Sequence, residues 1–198
     1  MHRIGGIVLA AGGSTRMGQP KQLLAPNGIP LVCAAVHAAQ HGGCDVVCVV
    51  TGNAASEVES AVALLHPQIV HNEHWQRGMG SSIRLGLQAL DSLSAVVVLA
   101  CDQPAVTAEV IRALIERYQQ TGQPVVASAY AQTLGIPALF DSSCFPELIN
   151  LPDDRGAKSV IHTAPARVAS IQFPAGAIDL DSPDDVTAWQ NSSRPADQ

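Results

Sequence analysis

The sequence predicts an α/β fold, a Rossmann-like three-layer sandwich in which helices cover both faces of a mostly parallel central sheet. Three observations predict it. Short apolar runs rich in β-branched residues recur along the chain, and segments with helical spacing of apolar residues lie between them. The composition is 47% hydrophobic but only 4% aromatic, which suits a core of Val, Leu, Ile and Ala. Alternation of this kind is typical of βαβ units.

The predicted elements follow this alternation from the N-terminus to the C-terminus. The apolar runs predict strands at residues 4–11, 45–51, 95–101, 124–129 and 166–173. The helical spacings predict helices at residues 30–40, 54–65, 79–90, 107–120, 142–150 and 157–162. A last helix begins near Pro183, where a serine and two acidic residues provide a capping pattern.

The chain shows no internal repeat and no low-complexity linker before its polar end. We therefore predict a single domain over residues 1–190. The polar composition of residues 191–198 predicts a frayed tail.

Charge and cysteine content narrow the classes of function. A formal net charge of −6 gives no long-range attraction to polyanions, so nucleic acid and anionic membranes are not expected as partners. No apolar run reaches the roughly 20 residues that a membrane-spanning helix needs. Five cysteines without a Cys-x-x-Cys pair indicate buried thiols in a reduced, cytoplasmic protein, with Cys44 and Cys48 on one face of a predicted strand.

The loop after the first predicted strand is the strongest candidate for a ligand site. In open α/β sheets, ligands bind outside the carboxyl ends of the strands. Residues 12–21 contain three glycines, two hydroxyl side chains and the cations Arg16 and Lys21, so their backbone amides can surround phosphate oxygens. The loop matches neither the dinucleotide-binding Gly-x-Gly-x-x-Gly nor the P-loop pattern. A simple connecting turn is the alternative.

Carboxylates follow two further extended segments. Asp102 comes directly after a predicted strand, where it and phosphate oxygens could bind a hard cation. Asp179 and Asp181 precede the last helix, and Asp181 could instead cap that helix. An anion-binding loop together with carboxylates at two strand ends is typical of a phosphoryl-transfer site.

Two more segments are candidates for contacts with the nucleotide. Gly78, Ser81 and Ser82 begin a predicted helix, whose free amides and hydroxyls could bind oxygens of a nucleotide or an acceptor, although an N-cap serine is the alternative. Gly52 and Asn53 follow the second predicted strand, and the amide of Asn53 offers both donors and acceptors.

The segment Leu9-Ala-Ala-Gly-Gly-Ser-Thr-Arg-Met-Gly-Gln-Pro-Lys21 resembles the signature of the MobA-like nucleotidyltransferase superfamily, and further matching segments extend the resemblance over nearly the whole chain. Within it, the chain looks most like the molybdenum cofactor cytidylyltransferase branch, because Ala11 stands where guanylyl enzymes usually carry Gly. The resemblance implies a nucleotide-diphospho-sugar transferase-like fold. It also implies transfer of CMP from CTP to molybdopterin, with release of pyrophosphate.

The resemblance also implies residue roles. Arg16, Lys21 and Asp102 would be catalytic, and Asp102 and Asp179 would hold Mg²⁺. The nucleotide would be bound by residues of four segments: Leu9, Ala10, Ala11, Gly12, Gly13, Ser14, Arg16 and Lys21; Gly52 and Asn53; Gly78, Ser81 and Ser82; and Asp102. A molybdenum hydroxylase apoenzyme could receive the product.

The acceptor segment departs from the family pattern. Gly135 and Pro137 match it, but Ile136 stands where the molybdopterin enzymes commonly have His. Arg155 matches a family Asp-Arg-Gly segment and could bind the acceptor's phosphate, or it could form a surface pair with Asp153 or Asp154. Two alternatives therefore stay open: transfer to a sugar phosphate, polyol phosphate or another cofactor, and a carrier that binds nucleotide or cofactor without turnover.

Overall fold

A computed structural model describes residues 3–192. It contains a seven-stranded sheet with the order β3-β2-β1-β4-β6-β5-β7. The strands are β1 (Ile4–Ala10), β2 (Val46–Thr51), β3 (Gln68–His71), β4 (Ala95–Ala100), β5 (Val125–Tyr130), β6 (Thr133–Asp141) and β7 (Val168–Gln172). Only β6 runs antiparallel to its neighbours, β4 and β5. The predicted α/β class with a mostly parallel sheet is confirmed.

Seven helices connect the strands of the described chain. They are α1 (Leu31–Gly42), α2 (Ala55–Val62), α3 (Met79–Gln88), α4 (Ala108–Thr121), α5 (Phe145–Ile149), α6 (Lys158–Thr163) and α7 (Pro183–Ser192). The buried side chains form two clusters, one on each face of the sheet. Helices α1, α2 and α4 cover one face, and α3, α5 and α6 cover the other, so the molecule has the three predicted layers.

The structure corrects several predicted boundaries. Strands β3 and β6 were not predicted: β3 has only four residues, mostly exposed, and β6 contains Gly135 and Pro137, which are unusual inside strands. The predicted helix at 142–150 is a 3₁₀ turn followed by the short α5. Of the tail expected to fray, residues 191 and 192 continue α7, and residues 193–198 lie outside the described part.

The cysteines also differ from expectation in one respect. All five are free and buried, as predicted. Cys44, however, precedes β2 and packs in the cluster beneath α1, whereas Cys48 packs in the cluster on the opposite face. The two thiols therefore do not share a face, because the strand begins only after Asp45. Within residues 3–192, no helix has the length and apolar character that crossing a bilayer requires.

Candidate active site

A cavity of about 320 Å³ opens where β1 and β4 end. These two strands are adjacent and parallel, so the loops at their carboxyl ends meet at one edge of the sheet. The cavity is lined by residues of these loops, of the turn that precedes α3 and of the start of α3: Leu9, Ala11, Gly12, Gly13, Lys21, Gln22, Trp75, Gln76, Gly78, Met79, Ser82, Ala100, Cys101 and Asp102. The predicted loop and the predicted carboxylate thus face one shared space.

Ser14 shapes the loop between β1 and Lys21. Its φ of 51° is a left-handed conformation that L-residues adopt at a cost. Two hydrogen bonds hold it there: the backbone amide of Lys21 donates to Ser14 Oγ at 2.9 Å, and Ser14 Oγ donates to Gln22 Oε1 at 3.3 Å. The hydroxyl is therefore engaged within the loop, and Ser14 can offer a ligand its backbone amide.

Lys21 is the central charge of the cavity. Its Nζ contacts Asp102 Oδ2 and lies 2.9 Å from Asp181 Oδ1. Burial alone would lower the pKa of Lys21, but the contacts with Asp102 and Asp181 raise it. The hydrogen bond from Lys21 in turn lowers the pKa of Asp181. Lys21 is thus a permanent cation placed directly beside Asp102.

Asp179 lies near this cluster and carries a perturbed carboxyl group. Burial first, and then repulsion from Asp102 and Asp181, raises the pKa of Asp179 to about 6. Carboxylates that repel one another in this way favour a bound cation, and Mg²⁺ prefers such hard oxygen ligands while keeping positions for water and phosphate. The donor chemistry of Asp102 and Asp179 fits the predicted metal.

Arg16 and Asp181 lie at the rim of the site. Arg16 is 73% exposed, and its Nη2 lies 2.6 Å from Asp181 Oδ2. Asp181 does not cap α7. Instead, Ser182 and Asp185 form a reciprocal capping box, in which the amide of Ser182 donates to Asp185 Oδ2 at 2.8 Å and the amide of Asp185 donates to Ser182 Oγ at 3.3 Å. The side chain of Asp181 is therefore directed to the two cations of the loop.

The end of β2 packs against the loop after β1. The backbone amide of Asn53 donates to Ala11 O at 3.2 Å, and its side-chain Nδ2 lies 3.5 Å from Gly13 O. Gly52 approaches Ala11 and Trp75 so closely that a Cβ there would lie 2.9 Å from Ala11 O. The structure thus places Asn53 and Gly52 behind the loop as its support.

At the start of α3, the predicted serines are less free than expected. Gly78, with a φ of 123°, precedes the first turn, so the N-cap is not a serine. Asn72 Nδ2 donates to Ser81 Oγ and to Ser82 Oγ at 2.9 Å each, and Ser81 Oγ donates to Gly78 O. Ser82 lines the cavity, whereas Ser81 does not. The glycines here allow α3 to approach the loop that contains Asp153, whose carbonyl accepts from the amide of Gly80 at 2.9 Å.

A second cavity of about 260 Å³ adjoins the first, and the two share Met79, Ala100 and Asp102. Its other lining residues come from β5, β6, α6 and their neighbouring loops: Gln103, Tyr130, Gly135, Ile136, Gly156, Ala157, Lys158 and Asp179. Gly135 therefore lies where an acceptor is expected. Pro137 does not line this space; its carbonyl accepts from Ser128 Oγ at 2.7 Å inside the sheet.

Arg155 is not brought to the acceptor cavity. It is exposed and lines a separate groove with Glu147 and Asn150. It also does not pair with Asp153, which binds Arg84 Nη2 at 2.9 Å. Among the described residues, the cation that lines the second cavity is Lys158 at the start of α6. The sequence did not predict Lys158 as a site residue. Lys158 lies only three residues after Arg155, and nothing in the local sequence indicates which of the two side chains faces the cavity.

Trp75 and Gln22 are the other residues that sequence reasoning missed. The indole of Trp75 lines the first cavity and lies so close to Gly13 that a Cβ there would be 2.8 Å from the ring. Gln22 is fully buried behind the loop. Gln22 directly follows Lys21 in the sequence, but its burial results from packing and has no signal in the sequence.

Comparisons with known proteins agree with this geometry. Residues 6–168 match the family described as the MobA-like NTP transferase domain. Nicotine blue oxidoreductase of Paenarthrobacter nicotinovorans is 30% identical over 167 residues, which cover 81% of this chain and 82% of that protein. The purine catabolism protein PucB of Bacillus subtilis (strain 168) is 26% identical over 200 residues, with 91% and 92% covered.

Among solved structures, Rv0371c of Mycobacterium tuberculosis H37Rv superposes with a TM-score of 0.84 and 30% identity, covering 96% of this chain and 98% of that one. A structure of Rv0371c in complex with manganese gives a TM-score of 0.80 and 29% identity, with 96% and 99% covered. The family match agrees with the Gly-rich loop and the carboxylates beside it. The chain belongs to the MobA-like NTP transferase family, and it is a nucleotidyltransferase by family and fold.

Proposed function

We propose that this nucleotidyltransferase transfers CMP from CTP to molybdopterin and releases pyrophosphate. The observation that carries the proposal is the pair of adjoining cavities that share Asp102. One contains the Gly-rich loop and Lys21, and the other contains Lys158 and Asp179. A nucleoside triphosphate in the first cavity and a phosphorylated acceptor in the second would place their reacting groups near Asp102.

The loop and Lys21 supply the positive charge that the triphosphate needs. Backbone amides from Ala11 to Ser14 can donate to phosphate oxygens, and Lys21 and Arg16 lie at the far end of the same loop. Both cations contact Asp181. We infer that the triphosphate takes the place of that carboxylate, so that Lys21 and Arg16 neutralise the charge that develops on the departing pyrophosphate.

Asp102 and Asp179 would hold Mg²⁺. When bound, the ion supplies neutralisation and orientation of phosphate oxygens. The manganese complex of Rv0371c supports a divalent cation in a related fold. The raised pKa of Asp179 supports the same assignment, since its carboxylate and that of Asp102 are close enough to repel each other.

The reaction needs positioning more than proton transfer. A phosphate oxygen of the acceptor is already ionised near neutral pH, so it can attack the α-phosphorus of CTP in line, and the bond to the pyrophosphate oxygen breaks. The attack forms one P–O bond as the other breaks, without a covalent enzyme intermediate. Lys158 would bind the acceptor's phosphate, because it is the cation that lines the second cavity.

Ile136 affects the identity of the acceptor more than the nucleotidyl chemistry. This side chain lines the second cavity, where the molybdopterin enzymes resembled by the sequence commonly have a polar His. A sugar phosphate, a polyol phosphate or another cofactor is therefore the second candidate acceptor. We propose delivery of the product to a molybdenum hydroxylase only if the acceptor is molybdopterin.

Two rivals from other classes follow from the residues and the relatives. A carrier would bind the nucleotide or cofactor without turnover, but the presence of Lys21, Asp102 and Asp179 in one site supports catalysis. The name of the relative from P. nicotinovorans suggests redox chemistry. The chain contains no Gly-x-Gly-x-x-Gly dinucleotide loop, which favours transfer over hydride chemistry.

Pyrophosphate release tests these alternatives together. The assay compares CTP, GTP, ATP and UTP, each with molybdopterin, with sugar and polyol phosphates and without acceptor, in Mg²⁺ and in chelator. We expect release with CTP only when molybdopterin and Mg²⁺ are both present. Turnover with a sugar phosphate alone would replace the acceptor, and CTP binding without turnover would favour a carrier. Oxidation of NADH or NADPH in the same mixtures would favour the redox rival.

A further inference from the structure

The buried side chain of Gln22 makes all its hydrogen bonds to the loop that would bind the triphosphate. It is 0% exposed and stands next to Lys21 in a 3₁₀ turn. We propose that Gln22 is a positioning residue, which fixes the loop so that its amides are ready for phosphate before the nucleotide arrives. The proposal rests on the nucleotidyl transfer proposed above and names a residue to which neither the family match nor the sequence motifs give a role.

Three hydrogen bonds connect Gln22 to the loop. Its Nε2 donates to Ala10 O at 3.0 Å and to Gly12 O at 2.7 Å. Its Oε1 accepts from Ser14 Oγ at 3.3 Å. The orientation of the amide is fixed by these partners, because the opposite orientation would direct Oε1 at two carbonyl oxygens. One buried side chain thus satisfies three groups of the segment 10–14.

Gln22 binds the carbonyls of residues 10 and 12, and Asn53 binds those of residues 11 and 13. Its backbone amide donates to Ala11 O at 3.2 Å, and its Nδ2 lies 3.5 Å from Gly13 O. In a trans peptide the N–H points opposite to the C=O of the same peptide unit. The amides of Ala11 and Gly13 therefore point away from Gln22, and the amides of Gly12 and Ser14 point away from Asn53.

These amides are the donors available to an anion. Within residues 3–192, the amides of Gly12, Gly13 and Ser14 donate to no acceptor of the chain. Gln22 and Asn53 together fix the orientation of each of these peptide units, so the free N–H groups have set directions before an anion binds. A loop that is already ordered loses less conformational entropy when the ligand binds.

The same network sets the position of Lys21. Ser14 Oγ, which donates to Gln22 Oε1, accepts from the backbone amide of Lys21 at 2.9 Å. Loss of the Gln22 amide would therefore loosen both the phosphate-binding amides and the base of the Lys21 side chain. Every hydrogen bond of this side chain goes to residues 10–14, at the end of β1 and in the loop.

The test replaces Gln22 with a side chain of similar length that cannot donate. Gln22→Met is compared with Gln40→Met, because Gln40 Nε2 also donates to a backbone carbonyl, Leu65 O at 2.8 Å, in a part of the fold remote from the loop. For Gln22→Met we expect CTP affinity to fall roughly 10- to 100-fold, as for the loss of two or three hydrogen bonds. Cytidine affinity should change less than about 3-fold, since no phosphate is present.

A second measurement needs no nucleotide. Trypsin cleavage after the exposed Arg16 reports loop mobility in the free protein, and it should be several-fold faster in Gln22→Met than in the wild type or in Gln40→Met. If Gln22→Met does not fold, Gln22→Glu keeps the shape and the acceptor oxygen but loses the amide donor, and the same results are expected.

Equal losses of CTP and cytidine affinity, or cleavage at the wild-type rate, would overturn the positioning role. A wild-type protein that binds no nucleoside triphosphate would instead refute the proposed function, and the cleavage comparison would still decide the role of Gln22.

Discussion

Lys21 combines a permanent positive charge with a position between two carboxylates. Its Nζ contacts Asp102 and Asp181, and its side chain is only 16% exposed. Charges in such a partly dry site act more strongly on a developing anion than charges in water do. The transfer step should therefore depend on Lys21 much more than on the exposed cations of the surface.

Replacement of Lys21 tests this directly. Lys21→Met should lower kcat about 10²- to 10³-fold, which corresponds to roughly 2.7–4 kcal/mol of transition-state stabilisation. Arg112→Met is the control, because Arg112 is an exposed cation of α4 that lies 3.9 Å from Glu109 and donates to His41 O, away from the site. Pre-steady-state turnover of both variants is the measurement. A Lys21→Met enzyme with a wild-type rate would remove Lys21 from the catalytic set.

The raised pKa of Asp179 predicts that the stability of the fold depends on pH. Burial and the nearby Asp102 and Asp181 raise its pKa from the ordinary 3.8 to about 6, so the folded state holds this proton more tightly than the unfolded state does. Its stabilising contribution is complete below the unfolded pKa and is lost as pH rises through the folded pKa. The metal-free wild type should therefore lose stability across this window relative to Asp179→Asn, which cannot ionise.

Urea unfolding in chelator, from below the lower pKa to above the upper one, measures this difference. The gap in free energy of unfolding between Asp179→Asn and the wild type should widen with rising pH and then become constant. A gap that does not change with pH would show that Asp179 titrates normally.

At the scale of elements, the loop after β1 depends on contacts that the motif does not reveal. The glycines, Arg16 and Lys21 could be predicted as an anion-binding loop, because backbone freedom and positive charge are local properties of the sequence. Trp75 could not be predicted, since it reaches the loop from a turn more than fifty residues later. The same holds for Gln22, whose burial follows from the packing around it.

Alanine substitutions at Gly13 and Gly12 test the contact between Trp75 and the loop. A Cβ on Gly13 would lie 2.8 Å from the indole, whereas a Cβ on Gly12 would meet only Lys21 Cε at 3.9 Å. Gly13→Ala should therefore lower the free energy of unfolding by about 1–3 kcal/mol, a usual cost of overpacking, and Gly12→Ala by less. Thermal and urea unfolding measure both. Partial recovery in Gly13→Ala combined with Trp75→Leu would support the contact, and equal costs for the two alanines would contradict it.

Strand β6 shows where element prediction failed. It supplies Gly135 and Ile136, which line the second cavity, but the Gly and Pro inside the strand interrupt the alternation of apolar and polar residues that predicts a strand. Gly135 is required there because a Cβ would overlap the hydroxyl of Tyr130, which donates to Ile136 O at 3.0 Å. This close approach joins β5 to β6 and could not be inferred from either segment alone.

At the scale of the whole molecule, the sheet order decides which loops form the site. The fold class followed from the alternation of apolar runs and helical spacings, and so did the meeting of the loops after β1 and β4 at one edge. The insertion of β6 between β4 and β5 did not, although it places β6 and Lys158 beside Asp102. Long-range pairing of this kind has no local signal, so the sequence predicted Arg155 at the acceptor, whereas Lys158 lines the second cavity.

Ligand binding at this junction should stabilise the entire fold. A ligand at 100 times its dissociation constant adds about 2.7 kcal/mol, which for a chain of this size raises Tm by roughly 5–10 °C. We expect this shift with CTP and Mg²⁺ together and a much smaller one with CTP in chelator, because Asp102 and Asp179 would then repel the triphosphate. Differential scanning fluorimetry measures it, with Asp102→Asn as the control that should lose the metal-dependent part. Equal shifts with and without the metal would argue against the carboxylate pair as a cation site.

The fate of the α-phosphate of CTP decides whether the protein transfers CMP to molybdopterin. The protein is incubated with CTP labelled at the α-phosphorus, molybdopterin and Mg²⁺, and the products are separated. We expect the label to move to the molybdopterin fraction in a one-to-one ratio with released pyrophosphate, and we expect Asp102→Asn to abolish both. Label that stays in CTP, or that appears only as free CMP while molybdopterin remains unmodified, would contradict it.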